Sequence, residues 1–416
     1  MFANRHFTTA AWVRDRRRVT TTPSPTSSPA AIAAGSWLAH PDARAWTCPP
    51  APADIRVFHE GLPGYAPTPA VDLPAVAELL CVARVVVKDE SSRLGLPAFK
   101  ALGVSYAMYR VICERAGRTI TPTDWDSLRG VVATLGPLQF VAATDGNHGR
   151  AVARFSRLLG VPAHIFVPDV VTPSSIRAIQ AEGAHVSVLS EDYDKTVQLA
   201  ADEAERQPNA VLIQDTAWPG YEDIPQWIVD GYSTLFAELD DQLALGDPTE
   251  HGSALVVTPM GVGSLAQAAV VHYRSHPNSA SIAVLGVEPD SAACIQVSMR
   301  AGRATSIATA STIMDGLNCG TPSSLAWPYL RDGMDGVVAV SDEQAADAVN
   351  TLNALAVEAG PCGAATMAAA RIAASAPELR ESLGLTSEST IVLLNTEGPR
   401  PAAAQDVTAA RAEDAR

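Results

Sequence analysis

Short apolar runs alternate with amphipathic segments along most of the chain from about residue 53. In segments such as 149–159, 173–182 and 193–205, apolar residues recur at three- and four-residue spacing. This alternation is typical of an α/β protein with a mostly parallel sheet. The apolar runs predict strands at 84–87, 140–143, 164–167, 185–189, 210–214, 254–258, 282–287, 336–340 and 391–394.

The two ends of the chain lack this pattern. Residues 1–45 include the basic run 14–18 and the Ser-, Thr- and Pro-rich run 20–29. Such a composition buries little apolar surface, so we expect residues 1–45 to form a disordered or loosely attached arm. Residues 401–416 are Ala-rich and polar and are predicted to be a flexible tail.

Composition narrows the class of function. The 416 residues are 47% hydrophobic, which is enough for a substantial core. The formal charge of −15 disfavours nucleic acid as a partner, because phosphate binding calls for a basic face. No apolar run approaches the ~20 residues that span a bilayer. We therefore expect a soluble, cytoplasmic protein that acts on small molecules, with no membrane partner.

Metal-binding patterns are absent from the sequence. The six cysteines show no CxxC spacing, and the nine histidines include no HExxH motif. We therefore expect no metal site.

Five segments carry candidate chemistry, and the first contains Lys100. The strand ending near Val87 is followed by a Gly- and Pro-punctuated loop and then by a helical pattern from Phe99. Lys100 would thus lie in the first turn of a helix. The positive end of the helix dipole lies there and disfavours the charged form of the lysine. A lysine with a depressed pKa is a good amine for a carbonyl cofactor. A solvated surface lysine is the alternative.

The second segment, 142–150, follows a strand and opens a helix, so its N–H groups would point at an anion. Asp145 could be a simple N-cap, and its position alone favours that interpretation. The amide of Asn147 could donate a hydrogen bond to a phenolate-like oxygen.

The third segment also joins a strand to a helix. Gly261, Val262, Gly263 and Ser264 form a GxGS pattern whose glycines allow the backbone to approach an anion closely. Glycines serve ordinary strand-to-helix turns as well, so this short pattern is weak alone. Its place between a strand and a helix favours phosphate about as much as a plain turn.

The remaining two segments follow strands. Asp215 comes directly after the strand 210–214, at the carboxyl end where ligands gather in α/β sheets. Thr396 or Asn395, at the end of the last strand, could meet a ring nitrogen. A turn aspartate is the common alternative for Asp215, and turn chemistry explains Thr396 and Asn395 equally well.

Taken in order, the segments resemble the fold-type II pyridoxal-phosphate enzymes, such as threonine dehydratases and the tryptophan synthase β chain. The sequence is more closely similar to the diaminopropionate ammonia-lyase family. Asp145, in place of a hydroxyl residue, and the segment 215–218 distinguish it from ordinary threonine dehydratases. The resemblance runs from about 61 to 398 through the motifs 88–103, 143–150, 214–228, 261–266, 316–328 and 395–398.

The resemblance implies how pyridoxal phosphate would be held. Lys100 would carry the cofactor aldehyde, and Phe99 would lie beside the ring. Asn147 would bond the phenolic oxygen, residues 261–264 would cradle the phosphate, and Thr396 would face the pyridine nitrogen. Two subdomains with mostly parallel sheets are implied: a large cofactor-binding one, 46–134 with 246–400, and a smaller one, 135–245.

The resemblance also implies the reaction. The family converts 2,3-diaminopropionate to pyruvate and ammonia and accepts both enantiomers. Asp145 and Asp215 would be its catalytic carboxylates, each a base on one face of the substrate. A homodimer is implied as well.

The chain departs from the family pattern at four places. Pro97 stands where Asn is usual, Val104 where Gly is usual, and residues 399–401 where an Asp is usual. Asp315 is an unexpected negative charge before Gly316. These departures leave the substrate open. A serine or threonine dehydratase, a lyase for a modified diamino acid in a secondary pathway, and a non-catalytic amino-acid sensor are the alternatives.

Cys294 and Cys319 lie between the phosphate segment and the turn 320–322. Both fall near the expected mouth of the site and could approach each other as a disulfide, although cytoplasmic thiols are usually reduced.

Overall fold

The computed structural model of the protein describes residues 32–121, 125–144, 146–245, 253–275 and 279–399. These residues form two sheets with helices packed around them. The strands are β1 (Trp37–Ala39), β2 (Ala70–Asp72), β3 (Arg84–Asp89), β4 (Gln139–Ala143), β5 (Ala163–Pro168), β6 (His185–Leu189), β7 (Ala210–Leu212), β8 (Ala254–Pro259), β9 (Ile282–Pro289), β10 (Gly336–Val340) and β11 (Thr390–Asn395).

Helices connect most of these strands, as the alternating pattern predicts. They are α1 (Ile55–Glu60), α2 (Pro74–Leu80), α3 (Lys100–Ala116), α4 (Trp125–Val132), α5 (Asn147–Leu159), α6 (Pro173–Ala181), α7 (Tyr193–Arg206), α8 (Asp223–Leu243), α9 (Ser264–Arg274), α10 (Cys294–Ala301), α11 (Ala326–Gly333), α12 (Asp342–Ala354), α13 (Pro361–Ser375) and α14 (Pro377–Ser382).

The large sheet has the strand order β1-β10-β9-β8-β11-β3-β2. Its five inner strands run parallel, while β1 and β2 are antiparallel edge strands. Every residue of β8, β9, β10 and β11 is buried. Burial on both faces is what a parallel sheet covered by helices requires, and it explains why these strands appear in the sequence as continuous apolar runs.

The small sheet has the order β6-β5-β4-β7 and is entirely parallel. Its strands all lie within 135–245, and those of the large sheet lie outside that range. The predicted α/β class, with two separate and mostly parallel sheets flanked by helices, is thereby confirmed. The boundaries assigned to the two subdomains stay a prediction.

All nine strands predicted from apolar runs are present, with ends shifted by at most two residues. The prediction of a loose arm is wrong for residues 32–45. There β1 pairs with β10, and Gly35 N donates to Ala339 O at 2.8 Å. A three-residue edge strand is too short to show periodicity, so only its distant partner reveals it. Residues 1–31 and 401–416 lie outside the described residues, and the predictions for them stay open.

Helix α3, which begins at Lys100, lies directly against α8. A Cβ added to Gly231 would be 2.8 Å from Cα of Gly103, closer than real side chains approach a backbone. Gly103 and Gly231 therefore face each other, and their small size sets the separation of the two helices. This contact fixes α3 relative to the segment that follows Asp215.

A buried ionic cluster holds the loop between β3 and α3. Lys88 Nζ lies 2.7 Å from Glu238 Oε2, and Arg93 Nη1 lies 2.7 Å from Glu238 Oε1. Arg93 Nη2 also lies 2.6 Å from Glu90 Oε1. All four side chains are fully buried, so each charge depends on its partners. The loop leading to Lys100 is thus tied to α8.

No helix in the ranges given above is both long and apolar enough to cross a membrane.

Candidate active site

A cleft of about 780 Å³ lies where segments following five strands of the two sheets converge. Ligand sites gather at the carboxyl ends of strands in α/β proteins. The cleft brings together most of the residues that the five sequence segments singled out. Its walls include Phe99, Lys100, Asn147, His148, Asp215, Tyr232, Gly261, Val262, Gly263, Ser264, Cys319, Thr396 and Glu397.

Lys100 is the first residue of α3, and its ammonium forms an ion pair with Asp215 inside the cleft. The side chains of Lys100 and Asp215 are only 21% and 6% exposed. The Nζ atom also lies 5.7 Å from the centroid of the Phe99 ring. Lys100 is therefore not the solvated surface lysine that its sequence position alone allowed.

Asp215 is ionised in this setting. Burial by itself raises the pKa of its carboxyl, but the charge of Lys100 and the hydrogen bond from its ammonium outweigh burial and lower the pKa to about 2. Asp215 is thus a permanent anion near neutral pH.

His148 lies beside Asp215 and was not singled out by the sequence. Its Nδ1 is 3.7 Å from Asp215 Oδ2, and its Nε2 is 2.7 Å from the carbonyl oxygen of Ile213. Burial lowers the pKa of His148, so the ring is neutral near pH 7. Its position between Asn147 and Gly149 in the second segment was the available signal, but only the fold places it near Asp215.

The glycine segment after β8 forms one wall of the cleft and leads into α9, which begins at Ser264. Ser264 Oγ donates to the backbone oxygen of Asp215 at 2.6 Å. Gly263 has φ of +100°, and an added Cβ would meet Leu330 Cδ1 at 2.6 Å. Only glycine satisfies both conditions, so the backbone at position 263 is bare at a helix N-terminus, where a phosphate binds well.

Asn147 and Thr396 also line the cleft. Asn147 is the first residue of α5, and its Nδ2 donates to Glu397 Oε2 at 2.7 Å. Thr396 follows β11 and is buried against the cleft, and its carbonyl oxygen accepts from Phe99 N at 3.1 Å. Glu397 was quoted in the sequence only as part of a motif. Its contact with Asn147 spans 250 residues and is visible only in the fold.

Asp145 lies outside the described residues, so its role stays a prediction. The roles assigned to the other site residues likewise stay predictions, although the fold places those residues in one cleft.

The predicted disulfide between Cys294 and Cys319 is wrong. All six cysteines lie in the described ranges, and none is part of a disulfide. Both thiols are near the glycine segment, as expected: Cys294 Sγ is 3.9 Å from the carbonyl oxygen of Gly261, and Cys319 Sγ is 3.0 Å from a Cβ added to Gly261. They therefore pack against the same backbone without bonding to each other.

The cleft fits a phosphorylated aldehyde. It offers a shielded amine at Lys100, a helix N-terminus preceded by the bare backbone of Gly263 and an amide at Asn147. An amine, an anion site and a hydrogen-bond donor around one cavity match the aldehyde, phosphate and phenolic oxygen of pyridoxal phosphate.

Comparison with known proteins agrees with this fit. The profile of the pyridoxal-phosphate dependent enzymes matches residues 62–397. The diaminopropionate ammonia-lyase of Escherichia coli strain K12 is 34% identical over 353 residues, covering 82% of this chain and 87% of that protein. The diaminopropionate ammonia-lyase of Salmonella typhimurium is 32% identical over 362 residues, covering 83% of this chain and 88% of that protein.

Solved structures give the same result. The Escherichia coli diaminopropionate ammonia-lyase in complex with D-serine aligns with a TM-score of 0.76 at 32% identity, over 83% of this chain and 87% of that one. The same enzyme with an aminoacrylate–PLP azomethine reaction intermediate aligns with a TM-score of 0.76 at 30% identity, over 88% and 95% of the two chains. The chain therefore belongs to the pyridoxal-phosphate dependent enzymes and, among them, to the diaminopropionate ammonia-lyase family.

Proposed function

We propose that this protein is a lyase that converts 2,3-diaminopropionate to pyruvate and ammonia with pyridoxal phosphate as its cofactor. The observation that carries the proposal is the buried contact between Lys100 and Asp215, next to the glycine wall at the start of α9. The names of the Escherichia coli and Salmonella typhimurium relatives support the choice of substrate.

Each part of the cofactor has a matching group in the cleft. Lys100 would hold the aldehyde, and residues 261–264 would bind the phosphate through backbone N–H groups. The Ser264 hydroxyl would join them by exchanging its hydrogen bond to the backbone oxygen of Asp215 for one to the phosphate. Asn147 would donate to the phenolic oxygen, which requires it to leave or share Glu397. Thr396 would face the pyridine nitrogen, and Phe99 would lie beside the ring. When bound, pyridoxal phosphate spreads the negative charge that develops at Cα of the substrate.

Asp215 is proposed to act as the acid–base group on one face of the substrate. Because it is ionised and buried, it can accept the Cα proton or bind the β-ammonium group before it leaves. Asp145, in the same segment as Asn147, is proposed to act on the other face. Two carboxylates on opposite faces would account for a lyase that accepts both enantiomers.

Aromatic side chains shield the amine from water. The rings of Phe99 and Tyr232 lie 4.8 Å apart beside Lys100, and Tyr232 is buried. Burial raises the pKa of the Tyr232 phenol, so it keeps its proton near neutral pH. A water-poor wall strengthens the interaction between Lys100 and Asp215.

The overall reaction consumes one water. Loss of the Cα proton and of the β-amine leaves a three-carbon enamine, and its hydrolysis gives pyruvate and a second ammonia. Each diaminopropionate therefore yields one pyruvate and two ammonia molecules.

A pyruvate assay tests the proposal. Purified protein saturated with pyridoxal phosphate would be given D- or L-2,3-diaminopropionate, L-serine or L-threonine, with ammonia counted in parallel. We expect two ammonia molecules per pyruvate and a clear preference for diaminopropionate. Faster conversion of serine or threonine would indicate a dehydratase, and no conversion of any of them would indicate an amino-acid-binding relative.

We further infer that the protein is a homodimer in the cytoplasm. The dimer follows from the family resemblance, and the absence of disulfides among the six cysteines supports a reducing compartment. Light scattering coupled to size exclusion and fractionation of the source cells test the two statements separately.

A further inference from the structure

A second cleft, of about 680 Å³, opens beside the first. The two clefts share Asn147, Gly316 and Glu397 as lining residues, so they adjoin each other, and Glu397 lies at their junction. Diaminopropionate has only three carbon atoms, and it fills little of the second cleft. The rest of this space is available to a larger group attached to the substrate.

One wall of the second cleft carries an incompletely neutralised positive charge. Arg150, Arg154 and Arg157 all pair with the single carboxylate of Glu182, and Arg150 has the longest of these contacts, at 3.5 Å. The Arg150 atom in that contact is Nε, which is buried and forms no hydrogen bond with Glu182 or any other described residue. Arg150 lines the cleft, so its guanidinium can receive a carboxylate there.

Hydroxyl groups lie on the same cleft. Thr172 caps the start of α6, and Ser175 lies in its first turn. Both residues line the cleft with Arg150. Thr172 Oγ1 donates to Ser175 Oγ at 3.0 Å, which leaves the proton of the Ser175 hydroxyl for an anion. The guanidinium of Arg150 and the Ser175 hydroxyl thus give this wall the chemistry of a carboxylate site.

The junction with the first cleft has the opposite charge. The carboxylates of Glu397 and Asp315 both line the second cleft, and Glu397 also lines the first. A protonated secondary amine located at the junction would meet these acidic groups, while a carboxylate further along would reach Arg150.

Three of the four departures from the family pattern, Pro97, Asp315 and Pro399, line this same cleft.

We propose that the second cleft binds a carboxylate-bearing substituent on the β-nitrogen of the substrate. The protein then eliminates N3-(carboxyalkyl)-2,3-diaminopropionates, with Arg150 binding the distal carboxylate and Glu397 the secondary ammonium. This inference rests on the proposed function and names a substrate class for the same site.

The chemistry is the same elimination with a different leaving group. The Cα–H bond breaks and its electron pair forms the Cα–Cβ double bond. The Cα proton passes to a catalytic carboxylate, Asp215 or Asp145. The Cβ–N bond breaks, and its electron pair leaves with the nitrogen as a primary amine, which takes up that proton and departs as an amino acid. Hydrolysis of the remaining three-carbon fragment with one water gives pyruvate and one ammonia. No oxidant or reductant is needed.

The test uses N3-(carboxymethyl)-2,3-diaminopropionate, which releases glycine, and N3-ethyl-2,3-diaminopropionate, which has a neutral arm and releases ethylamine. With the cofactor-loaded protein, we expect kcat/KM to be about 10- to 100-fold higher for the carboxymethyl substrate, as for a hydrogen-bonded charge pair. The Arg150→Gln protein is expected to lose most of this ratio. Arg157→Gln is the matched control, because Arg157 pairs with the same Glu182 but is 53% exposed and does not line the cleft.

The outcomes separate the two proposals. Equal kcat/KM for the two substituted substrates in the unmodified protein would overturn the second cleft as a carboxylate site, even if Arg150→Gln failed to fold. An unchanged ratio in Arg150→Gln would also overturn it. Pyruvate from unsubstituted diaminopropionate in these cases would leave the proposed function standing, and no pyruvate from any of the three substrates would overturn both.

Discussion

The ammonium of Lys100 and the carboxylate of Asp215 are 115 residues apart in sequence and form an ion pair within the cleft. The backbone oxygen of Asp215 also accepts a hydrogen bond from Ser264 at 2.6 Å. One residue thus links the amine at the start of α3 to the proposed phosphate site at the start of α9. A shift of Asp215 would therefore be felt at both ends of the cofactor.

Stability in the cofactor-free protein should depend on pH through Asp215. Its pKa falls from 3.8 to about 2 on folding, so the unfolded chain takes up the proton first as the pH drops. The stabilisation is complete above about pH 5, falls to about half near pH 3 and is lost below pH 2. At about pH 6 it is worth about 2 kcal/mol. Urea unfolding of the original protein and Asp215→Asn should show this difference shrinking towards pH 3, and a difference independent of pH would contradict it.

Gly263→Asp should weaken cofactor binding sharply. The change adds a negative charge to the proposed phosphate site at a residue with φ of +100°. We expect the dissociation constant for pyridoxal phosphate, followed by absorbance, to rise at least ~10-fold. Gly302→Asp is the control, because Gly302 has φ of +66° and open space around an added Cβ. It reproduces the backbone strain away from the cleft and should bind normally, whereas normal binding by Gly263→Asp would place the phosphate elsewhere.

Asp145→Asn and Asp215→Asn should lose opposite enantiomers if each aspartate is the base on one face. The family resemblance suggests Asp145 for the D-substrate and Asp215 for the L-substrate. Loss of a general base costs ~10²–10⁴ in rate. The ratio of kcat/KM for D- and L-2,3-diaminopropionate should therefore move in opposite directions in the two variants. Equal losses on both enantiomers would indicate a shared role, such as binding the leaving ammonium.

Glu238→Ala should destabilise the fold strongly, because it leaves the buried charges of Lys88 and Arg93 without their shared partner. Removing one member of a buried ion pair typically costs about 3–5 kcal/mol. Asp72→Ala breaks the half-exposed pair with Arg84 and should cost less than about 1 kcal/mol. Denaturant unfolding at neutral pH compares the two, and similar small losses would show that the cluster does not hold the loop before α3.

Local pattern was sufficient to predict the inner strands and most of the cleft. Strands that are buried or half-buried leave apolar runs, and the segments containing Lys100, Asn147, Asp215 and Ser264 follow β3, β4, β7 and β8, respectively. Because the parallel strands of each sheet end at a common edge, the segments that follow them lie close together. The type and position of these strands and of the segments that follow them can therefore be predicted from short stretches of sequence.

What the sequence could not predict depends on distant partners. The strand β1 exists because β10 pairs with it, and Glu397 matters because α5 brings Asn147 to it. His148 lies in a motif that was recognised, yet its neighbour Asp215 comes from another segment. The predicted disulfide failed because two cysteines can approach the same backbone, at Gly261, without approaching each other in bonding geometry.

The attachment of the cofactor to Lys100 is the central claim, and the chain offers an unusually clear test of it. The sequence contains three lysines, Lys88, Lys100 and Lys195. Lys88 is fully buried in the ionic cluster, and Lys195 is exposed on α7 and does not line the cleft.

The deciding measurement is borohydride reduction of the protein loaded with pyridoxal phosphate, followed by digestion and mass spectrometry of the three lysine peptides. We predict about one cofactor per chain, fixed to the peptide that contains Lys100, and none fixed in the Lys100→Ala protein. Stoichiometric labelling of Lys88 or Lys195 with Lys100 unlabelled, or full labelling of Lys100→Ala, would contradict the account.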